Sequence, residues 1–319
     1  MQPVPSLADI RIAHGRIAPY IHRTPILTSR EIDEAAGARL LFKCENLQRS
    51  GAFKARGAYN AVLSLPDEMA RCGVVTHSSG NHAAALALAA RTRGIAAHVV
   101  MPANAPAVKK AAVRGYGAKI VECEPTLAAR EAAAAAIVGE TGAKLIPPFD
   151  NEAVIAGQGT CFVELLEDAG VELEAVTCPV GGGGLLAGTA IAAGGLAPGL
   201  SVVAAEPLAA DDAARGFTSG VLQPQVLPLA TVADGLTTAM SPLTFAIMRA
   251  HVQAVVTVSE AAILEAMRLI WTRMKLLVEP SSAVPLAAIL ERCWDAQGKT
   301  IGVILTGGNV DIDHLPWTR

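Results

Sequence analysis

The chain has 319 residues, of which 52% are hydrophobic, 17% charged and 4% aromatic, and its formal net charge at pH 7 is −3. A chain of this length and apolarity buries a large core, so dominant disorder is excluded. The weakly acidic charge excludes the positive field that holds nucleic acid or an anionic membrane, and a small molecule is therefore the expected ligand.

The chain begins MQPVPSLADIRIAHGR, which mixes Pro, Asp and Arg and lacks the apolar run of a secretory signal. The mature protein is therefore expected to start here. Six cysteines are spread along the sequence without a CxxC pair or a nearby histidine at metal-ligand spacing. This spacing is typical of reduced thiols, so we expect a cytoplasmic protein.

Short runs rich in β-branched residues alternate with helix-like stretches, in one set from about Gly73 to Phe149 and another from Val176 onward. Gly94 and Gly142 stand where glycine commonly ends a helix. This alternation predicts mainly parallel sheets with helices on both faces. The predicted strands are GVVTHSS, AHVVMP, KIVECE, AVTCPV, SVVAAE, AVVTVS and TIGVILTGG, and the predicted helices include HAAALALAARTRG, TLAAREAAAAAIVGETG and SEAAILEAMRLIWTRMKLL, the last capped by Ser259.

An uncharged stretch separates Glu174 from Glu206. Its length raises the question of a membrane span, but it contains Pro179, Pro198 and many glycines, four of them consecutive. It is better explained as a buried strand, a glycine loop, a helix from about Leu185 to Ala193, a turn and a second strand. We therefore expect no membrane span.

Polar loops follow three of the predicted strands, namely THSSGNH (76–82), GGGG (181–184) and TGGN (306–309). Ligands of open α/β sheets collect at the carboxyl ends of the strands, where loops and helix N-termini present free N–H groups. Each loop alone says little, since glycine after a strand is usually only a turn. Together the loops indicate one binding site.

The GGGG loop is the best candidate for a phosphate cradle, because four residues without Cβ let several backbone N–H groups converge on an anion. A nicotinamide cofactor is one alternative. Gly182, Gly184 and Ala187 fit G-x-G-x-x-A, and Glu206 ends the next strand where a ribose-binding acid is expected. On these residues alone, a nicotinamide-dependent oxidoreductase remains an alternative function.

Lys54 lies in SGAFKARGA, among Ala, Phe and Gly residues and at the predicted start of a helix. A desolvated lysine has a lowered pKa and can act as a nucleophilic amine toward a carbonyl carbon. An isolated lysine of this kind is more often a surface side chain whose stem lies along an apolar face. The polar loops elsewhere in the chain favour the nucleophile.

These segments resemble, in the same order, the signatures of the serine/threonine dehydratase and serine racemase family of pyridoxal 5′-phosphate (PLP) enzymes. SGAFKARGA is similar to the family's lysine segment, SSGNH to its substrate loop, GGGG to its phosphate loop and TGGN to its pyridine contact, and NEAVIAGQGT and AAEPLAADDA match as well. The resemblance covers nearly the whole chain.

The resemblance implies the two-domain α/β architecture called fold type II, similar to the tryptophan synthase β subunit. Each domain of that fold is a mainly parallel twisted sheet flanked by helices. A large PLP-binding domain is expected at residues 1–66 and 151–319, and a small mobile domain that carries SSGNH is expected at residues 67–150.

The resemblance also implies the cofactor contacts. Lys54 would hold PLP covalently, pass it to the substrate's amino group and remove the Cα proton. Phe53 would pack beside the ring, Asn81 would bond its phenolic oxygen, and Thr306, where the family generally has serine, would face the pyridine nitrogen. The phosphate would be held by backbone N–H groups of Gly181, Gly182, Gly183, Gly184 and Leu185.

On the substrate side, the resemblance assigns the α-carboxylate to the SSGNH loop and a distal carboxylate to Arg130, for which an ordinary surface arginine is the alternative. Ser79 matches the residue that protonates Cα opposite the lysine in racemases of the group. Pro147 replaces a histidine of the HPFD segment found in many relatives, which counts against an ordinary threonine or serine preference and would admit a bulkier or more apolar β-substituent. Thr237 and Thr238 lie in a segment that borders the pocket in relatives. The loop residues are Ser78, Ser79, Gly80, Asn81 and His82.

A neutral hydroxyl at the pyridine nitrogen stabilises a carbanion less than a carboxylate would, which favours prompt loss of a β-leaving group. The predicted function is a PLP-dependent ammonia-lyase (dehydratase). A β-hydroxy-α-amino acid of the threonine, serine, hydroxyaspartate or phenylserine type would lose water, and the product would hydrolyse to a 2-oxo acid and ammonia. An amino-acid racemase of the same family is the main alternative. A nicotinamide-dependent oxidoreductase and a non-catalytic PLP- or amino-acid-binding protein are more distant ones.

Glu206, Ala210 and Asp212 match a divalent-cation site of several family members, with two carboxylates and one backbone carbonyl. Oxygen ligands suit Mg²⁺ or Ca²⁺, and a solvated acidic turn is the alternative. The resemblance further implies a homodimer that acts on an amino acid, without nucleic-acid or membrane partners. Because the chain ends shortly after TGGN, no C-terminal regulatory domain is expected.

Overall fold

The computed structural model describes residues 3–317, whose strands form two sheets. The strands are β1 (Ile26–Leu27), β2 (Arg39–Cys44), β3 (Val74–His77), β4 (Ala97–Pro102), β5 (Lys119–Cys123), β6 (Lys144–Leu145), β7 (Ala175–Pro179), β8 (Ser201–Pro207), β9 (Ala254–Val258) and β10 (Thr300–Leu305). The larger sheet has six strands in the order β1-β2-β10-β7-β8-β9, and the smaller sheet has four in the order β5-β4-β3-β6. Neighbouring strands are parallel except β1, which is antiparallel to β2.

The α-helices fill most of the chain between the strands. They are α1 (Leu7–Ile17), α2 (Arg30–Ala36), α3 (Lys54–Leu63), α4 (Asp67–Arg71), α5 (Asn81–Arg93), α6 (Ala107–Gly115), α7 (Leu127–Thr141), α8 (Glu152–Asp168), α9 (Gly184–Leu196), α10 (Asp212–Ser219), α11 (Pro242–His251), α12 (Glu260–Leu269) and α13 (Pro280–Leu290). Short 3₁₀ turns occur at 45–47, 49–51, 208–210 and 234–236.

The hydrophobic core lies on both faces of each sheet. Along β10, Ile304 packs with residues of α8 and α9, whereas Val303 and Leu305 pack with residues of α12 and α13. In the smaller sheet, Val74 packs with α5 and its neighbour Val75 packs with α7. Successive side chains of a strand point to opposite faces, so this division places helices on each side of both sheets. The predicted architecture is therefore confirmed.

The predicted helix ends are confirmed at the three positions where a specific capping residue was expected. Gly94 and Gly142 follow α5 and α7 in the left-handed conformation, with φ of 73° and 70°. Ser259 caps α12, because its hydroxyl accepts a hydrogen bond from the backbone N–H of Ala262. Local capping chemistry thus fixes these ends.

Two predicted helices differ from those observed. The helix expected at Leu185–Ala193 extends from Gly184 to Leu196, since Gly195 does not end it but makes room for Leu7: a Cβ there would lie 2.6 Å from Leu7 Cδ2. The long helix expected to run from Ser259 through SEAAILEAMRLIWTRMKLL is α-helical only to Leu269 and continues as a π-turn over Ile270–Met274.

The prediction missed β2, which lies between β1 and β10 in the larger sheet. Its sequence RLLFKC has no β-branched residue and carries a lysine that would ordinarily mark a solvent face. Lys43 is instead fully buried, because Glu164 of α8 neutralises it at 2.7 Å. A contact between distant parts of the chain therefore overrides the local pattern.

The smaller sheet is drawn from residues 74–145, and the strands of the larger sheet come from 26–44 and 175–305. The boundaries at 66/67 and 150/151 and the mobility of the small domain stay predictions. Within residues 3–317, every helix is too short or too polar to traverse a bilayer.

Candidate active site

Lys54 opens α3 and is half-buried. Its Nζ donates a hydrogen bond to the carbonyl oxygen of Pro148 at 2.8 Å and lies 5.0 Å from the ring centroid of Phe53. Burial lowers the pKa of Lys54 to about 8, although the negative charge of Glu279 acts in the opposite direction. An amine with this pKa is partly neutral near physiological pH, which a nucleophile or base requires.

The TGGN loop lies directly beside the lysine segment. Ala52 forms a bridge with Gly307, and the backbone N–H of Phe53 donates to the carbonyl of Thr306 at 2.9 Å. The Thr306 hydroxyl is buried and lies 3.1 Å from the hydroxyl of Ser282 in the first turn of α13. The predicted pyridine contact is therefore a pair of neutral hydroxyl groups, and among residues 3–317 no carboxylate is bonded to the Thr306 hydroxyl.

The GGGG loop leads from β7 into α9. Gly183 has a left-handed φ of 85°, and no side chain of the described part of the chain caps the helix that follows. A Cβ on Gly182 would lie 2.3 Å from the ring of Phe149, and one on Gly183 would lie 2.5 Å from Met240 Cε. Because only glycine fits and the first N–H groups of a helix lack intrahelical partners, the loop fits an anionic phosphate. The Leu185 side chain is in the core, so only its N–H is available.

The SSGNH loop links β3 to α5, and its first four residues are half-buried. His82 is fully buried, and its Nε2 lies 3.0 Å from the carbonyl oxygen of Ile146, so Nε2 carries the proton. Burial, with a further contribution from the Lys54 ammonium, lowers the pKa of His82 to about 3. This neutral imidazole cannot pair with a carboxylate as a cation, and the loop's N–H and hydroxyl groups are the remaining donors.

Arg130 lies in the first turn of α7, half-buried, with its Nε 3.4 Å from the carbonyl oxygen of Thr126. Burial lowers the pKa of His77, the last residue of β3, and the Arg130 guanidinium lowers it further. His77 in turn acts on the pKa of His82. Arg130 is therefore close enough to His77 to act on its pKa, and His77 is close enough to act on that of His82.

The segment around Thr237 adjoins the phosphate loop, as the resemblance implied. A Cβ on Gly181 would lie 3.0 Å from the Cα of Leu236, the residue before Thr237. The Thr237 hydroxyl donates to the carbonyl of Asp234 at 3.1 Å. Pro147 lies in the crossover from β6 to α8, next to the carbonyl that accepts from Lys54.

Sequence reasoning missed Glu279, Asn309 and Ser282, which all contact predicted site residues. The Asn81 amide nitrogen donates to both carboxylate oxygens of Glu279 at 2.9 and 3.1 Å. The Asn81 oxygen accepts from Asn309 Nδ2 at 2.9 Å. Asn309 is the last residue of TGGN, so that motif pointed to it, whereas VEPSSA around Glu279 carries no comparable signal.

A fully buried ion network begins two residues after Lys54. Arg56 donates from Nε and Nη2 to Glu45 at 2.7 and 2.8 Å, and from Nη1 and Nη2 to Glu164 at 2.8 and 2.7 Å. Lys43 donates to Glu164 at 2.7 Å. The network joins β2, α3 and α8, and it holds the helix that starts with Lys54.

The residues of the predicted cation site lie together after β8. Glu206 is 1% exposed and accepts hydrogen bonds from the backbone N–H groups of Ala213 and Ala214, at 3.3 and 2.6 Å. Burial raises the pKa of Glu206 to about 9 and that of Asp212 to about 6. Residues 3–317 contain no cluster of three or more His, Cys, Asp or Glu side chains suited to a metal, so the site would depend on these two carboxylates and the carbonyl of Ala210.

Known proteins match nearly the whole chain. Residues 17–307 match the family model described as pyridoxal-phosphate dependent enzyme. A β-hydroxyaspartate dehydratase of Paracoccus denitrificans is 51% identical over 98% of this chain and 99% of that protein. An L-threo-3-hydroxyaspartate ammonia-lyase of Saccharomyces cerevisiae is 45% identical over 97% of this chain and 94% of that protein. The crystal structure of serine racemase from Dictyostelium discoideum superposes with a TM-score of 0.92 at 50% identity, covering 97% of this chain and 99% of that one.

These matches confirm the family and the fold type II architecture that the motifs implied, and they set aside the nicotinamide alternative. The glycine loop that could have served either cofactor is accompanied by a half-buried lysine at the start of a helix, which a nicotinamide site does not need. The chain therefore belongs to the family of pyridoxal-phosphate-dependent enzymes.

Proposed function

We propose that the protein is an ammonia-lyase for a 3-hydroxyaspartate, which it converts to oxaloacetate and ammonia by elimination of water. The ammonia-lyase class is confirmed by relatives of that activity that match nearly the whole chain. The choice of hydroxyaspartate is carried by one observation: the two relatives just cited are named for that substrate. The Arg130 guanidinium, which acts on the pKa of His77 at the end of β3, supports this choice. A cation there suits a second carboxylate on the β carbon.

PLP, when bound, withdraws electrons from the substrate's Cα and makes the Cα–H bond acidic. Lys54 is placed to take that proton, because its lowered pKa of about 8 leaves part of the amine neutral near pH 7. The carbonyl of Pro148 accepts from Nζ at 2.8 Å and orients the free amine.

The hydroxyl pair of Thr306 and Ser282 supports elimination over reactions that need a long-lived carbanion. A neutral hydroxyl does not enforce a proton on a pyridine nitrogen as a carboxylate would. The Ser282 hydroxyl also accepts from the N–H of Gly307 at 2.7 Å, which fixes the loop beside Thr306. Departure of the β-hydroxyl group is then the favoured outcome, and the released product gains water and loses ammonia to give the 2-oxo acid.

The SSGNH loop would hold the α-carboxylate through its hydroxyl and N–H groups, since His82 is neutral. The β-carboxylate of hydroxyaspartate would extend from the loop toward the Arg130 guanidinium, whose charge acts on His77. Serine and threonine have no charge at that position. Binding a dicarboxylate there would release Arg130 from its weak contact with Thr126.

A divalent cation, Mg²⁺ or Ca²⁺, is proposed at Glu206, Asp212 and Ala210. Two buried carboxylates without a cationic partner among the described residues fit an oxygen-ligated ion. Its role would be structural, since no step of the elimination takes place at that turn. Activity as a homodimer in the cytoplasm, without nucleic-acid or membrane partners, is supported by the resemblance and by composition.

Racemisation is the second candidate function, favoured by the half-buried Ser79 in the SSGNH loop and by the serine racemase structure. Racemisation needs a proton donor on the face of Cα opposite Lys54. Replacement of Ser79 by Ala should abolish racemisation and spare elimination from the L-enantiomer. Equal loss of both activities would argue against this role.

The test of the proposed function is a substrate comparison on the purified PLP-bound enzyme. L-threo-3-hydroxyaspartate, L-threonine, L-serine and L-threo-phenylserine are added in turn while 2-oxo acid and ammonia are measured. Hydroxyaspartate should give the highest kcat/KM, and Arg130→Gln should lower it roughly 100-fold while changing serine turnover little. Arg91→Gln, on the surface of α5, is the matched control. A faster reaction with serine or threonine would refute the substrate assignment while leaving the lyase class intact.

A further inference from the structure

Asn81 makes hydrogen bonds that fix its amide in one orientation. Its nitrogen donates to Glu279 and its oxygen accepts from Asn309. The two oxygens of one carboxylate lie too close together to take both N–H groups of an amide, so one N–H serves both oxygens and the second stays available. A flipped amide would place its oxygen against the carboxylate, which cannot donate when ionised.

Glu279 is itself held rigidly. It is 5% exposed, and its backbone N–H donates to the carbonyl of Gly307 at 3.0 Å. The carbonyl groups of the two preceding residues are also bonded, with Trp271 Nε1 donating to Val278 at 3.0 Å and Asn46 Nδ2 donating to Leu277 at 3.1 Å. The π-turn that ends α12 therefore positions the segment that delivers the carboxylate.

Asn309 is anchored to the residues just before Lys54. Its Nδ2 donates to the carbonyl of Ser50 at 2.7 Å. Gly51 has a left-handed φ of 75°, and a Cβ there would lie 2.3 Å from Asn309 Oδ1. The two partners of Asn81 thus belong to the larger-sheet part of the molecule, while Asn81 itself opens α5 beside the smaller sheet.

Within residues 3–317, no lysine, arginine or histidine forms an ion pair with Glu279. Burial raises its pKa to about 7, against the hydrogen bond from Asn81. A buried carboxylate without a cation is costly for the folded state, so stability does not explain its presence. Its main polar side-chain contact is the amide of Asn81.

We propose that Glu279 is a positioning residue, which together with Asn309 holds the amide of Asn81 in one orientation and fastens the SSGNH loop to the larger-sheet part of the molecule. The second N–H of the Asn81 amide is then held in the orientation in which it can donate a hydrogen bond to the cofactor ring. That last point rests on the proposed function, whereas the fastening of the loop rests on the hydrogen bonds alone.

The experiment compares Glu279→Ala and Glu279→Gln with the wild type. Hydrogen exchange of the amides of residues 78–82, measured on the protein without added substrate, should be roughly tenfold faster in the alanine variant, as loss of a hydrogen bond to a charged group predicts. The glutamine variant keeps an acceptor oxygen of similar reach and should exchange nearly as the wild type does. Glu291→Gln, at the other end of α13 and bonded to Ser259, is the matched control.

The second readout is the absorbance spectrum of bound PLP. A loosened Asn81 amide should shift the visible band and its pH dependence in Glu279→Ala but not in Glu279→Gln, and kcat should fall more than KM changes. Exchange that is unchanged in both variants, or equally fast in both, overturns the proposal. If the wild type shows no PLP band, the proposed function fails, and the exchange data still decide whether Glu279 fastens the loop. A thermal melt identifies an alanine variant that is globally unfolded. Asn309→Ala, which removes the other partner of the Asn81 amide, then carries the test, and unchanged exchange of residues 78–82 in that variant overturns the proposal.

Discussion

Two regions of the molecule bury charged side chains in opposite ways. Beside α3, the cations Arg56 and Lys43 are paired with the anions Glu45 and Glu164 at 2.7 to 2.8 Å. After β8, Glu206 and Asp212 are both acidic, and neither forms an ion pair among residues 3–317. The first set of charges is balanced within the chain, whereas the second needs a cation or a proton from outside.

The pKa values follow this difference. Burial acts to raise the pKa of Glu164, but the hydrogen bond and charge of Arg56 outweigh it, and the pKa is lowered. Burial, with a smaller contribution from the charge of Asp212, raises the pKa of Glu206 to about 9 although the hydrogen bond from the N–H of Ala214 acts to lower it. A buried carboxyl group therefore indicates a structural site where a cation is paired with it and a ligand-binding site where none is. Burial alone does not distinguish the two kinds of site.

The largest effect is expected from removing the cation at the centre of the balanced network. Arg56→Met keeps much of the side-chain volume but leaves Glu45 without a cationic partner and Glu164 with Lys43 alone, which should cost about 3–5 kcal/mol of unfolding free energy. Chemical denaturation measures the loss. Arg23→Met, which breaks an exposed pair with Glu167 and Asp168, is the control and should cost no more than about 1 kcal/mol. Equal small losses would contradict the distinction drawn between the two regions.

The unbalanced region should respond to a cation. Mg²⁺ or Ca²⁺ at about 100 times its dissociation constant should stabilise the fold by about 2.7 kcal/mol. Glu206→Gln should remove this gain without lowering the stability of the cation-free protein near neutral pH, because the pKa of about 9 keeps the carboxyl group protonated there and a neutral amide replaces it. Asp295→Asn, in an exposed pair with Lys299, should keep the gain. A gain that survives in the Glu206 variant would place the cation elsewhere.

The sequence predicts those site residues whose function depends on their neighbours in the chain. It does not predict those whose hydrogen-bond or ion-pair partners are distant in the chain. Lys54 and the three polar loops belong to short motifs of adjacent residues, so they can be recognised from the sequence. Glu279 contacts Asn81 across 198 positions of sequence, and the π-turn with its hydrogen bond from Trp271 to Val278 positions the segment that carries Glu279. The Arg56 network likewise joins residues more than 100 positions apart, such as Arg56 and Glu164 with a separation of 108. The spacing of residues along the chain does not predict such contacts.

Acid should weaken the balanced region. The folded pKa of Glu164 lies below its ordinary value of 4.5, so its contribution to stability is complete above about pH 4.5 and is lost as the pH falls through the folded pKa. Glu164→Gln should flatten the acid limb of the unfolding free energy, by at most about 1.4 kcal/mol per pH unit. Urea melts between pH 5 and 3 measure the slope. An unchanged slope would show that other carboxylates dominate acid unfolding.

The smallest effect is expected where a charge pair is balanced but solvated. Lys109 of α6 and Asp234 form an ion pair at 2.6 Å with 33% and 60% of their side chains exposed. Water screens this pair, so a double-mutant cycle with Lys109→Ala and Asp234→Ala should give a coupling of about 0.2–1 kcal/mol that decreases with added salt. The same cycle on Lys43 and Glu164 should give a larger coupling that salt hardly changes, because water does not reach that pair. If both couplings were alike, pairing alone would set the stability of these charges, and the burial of the network beside α3 would lose its explanatory role.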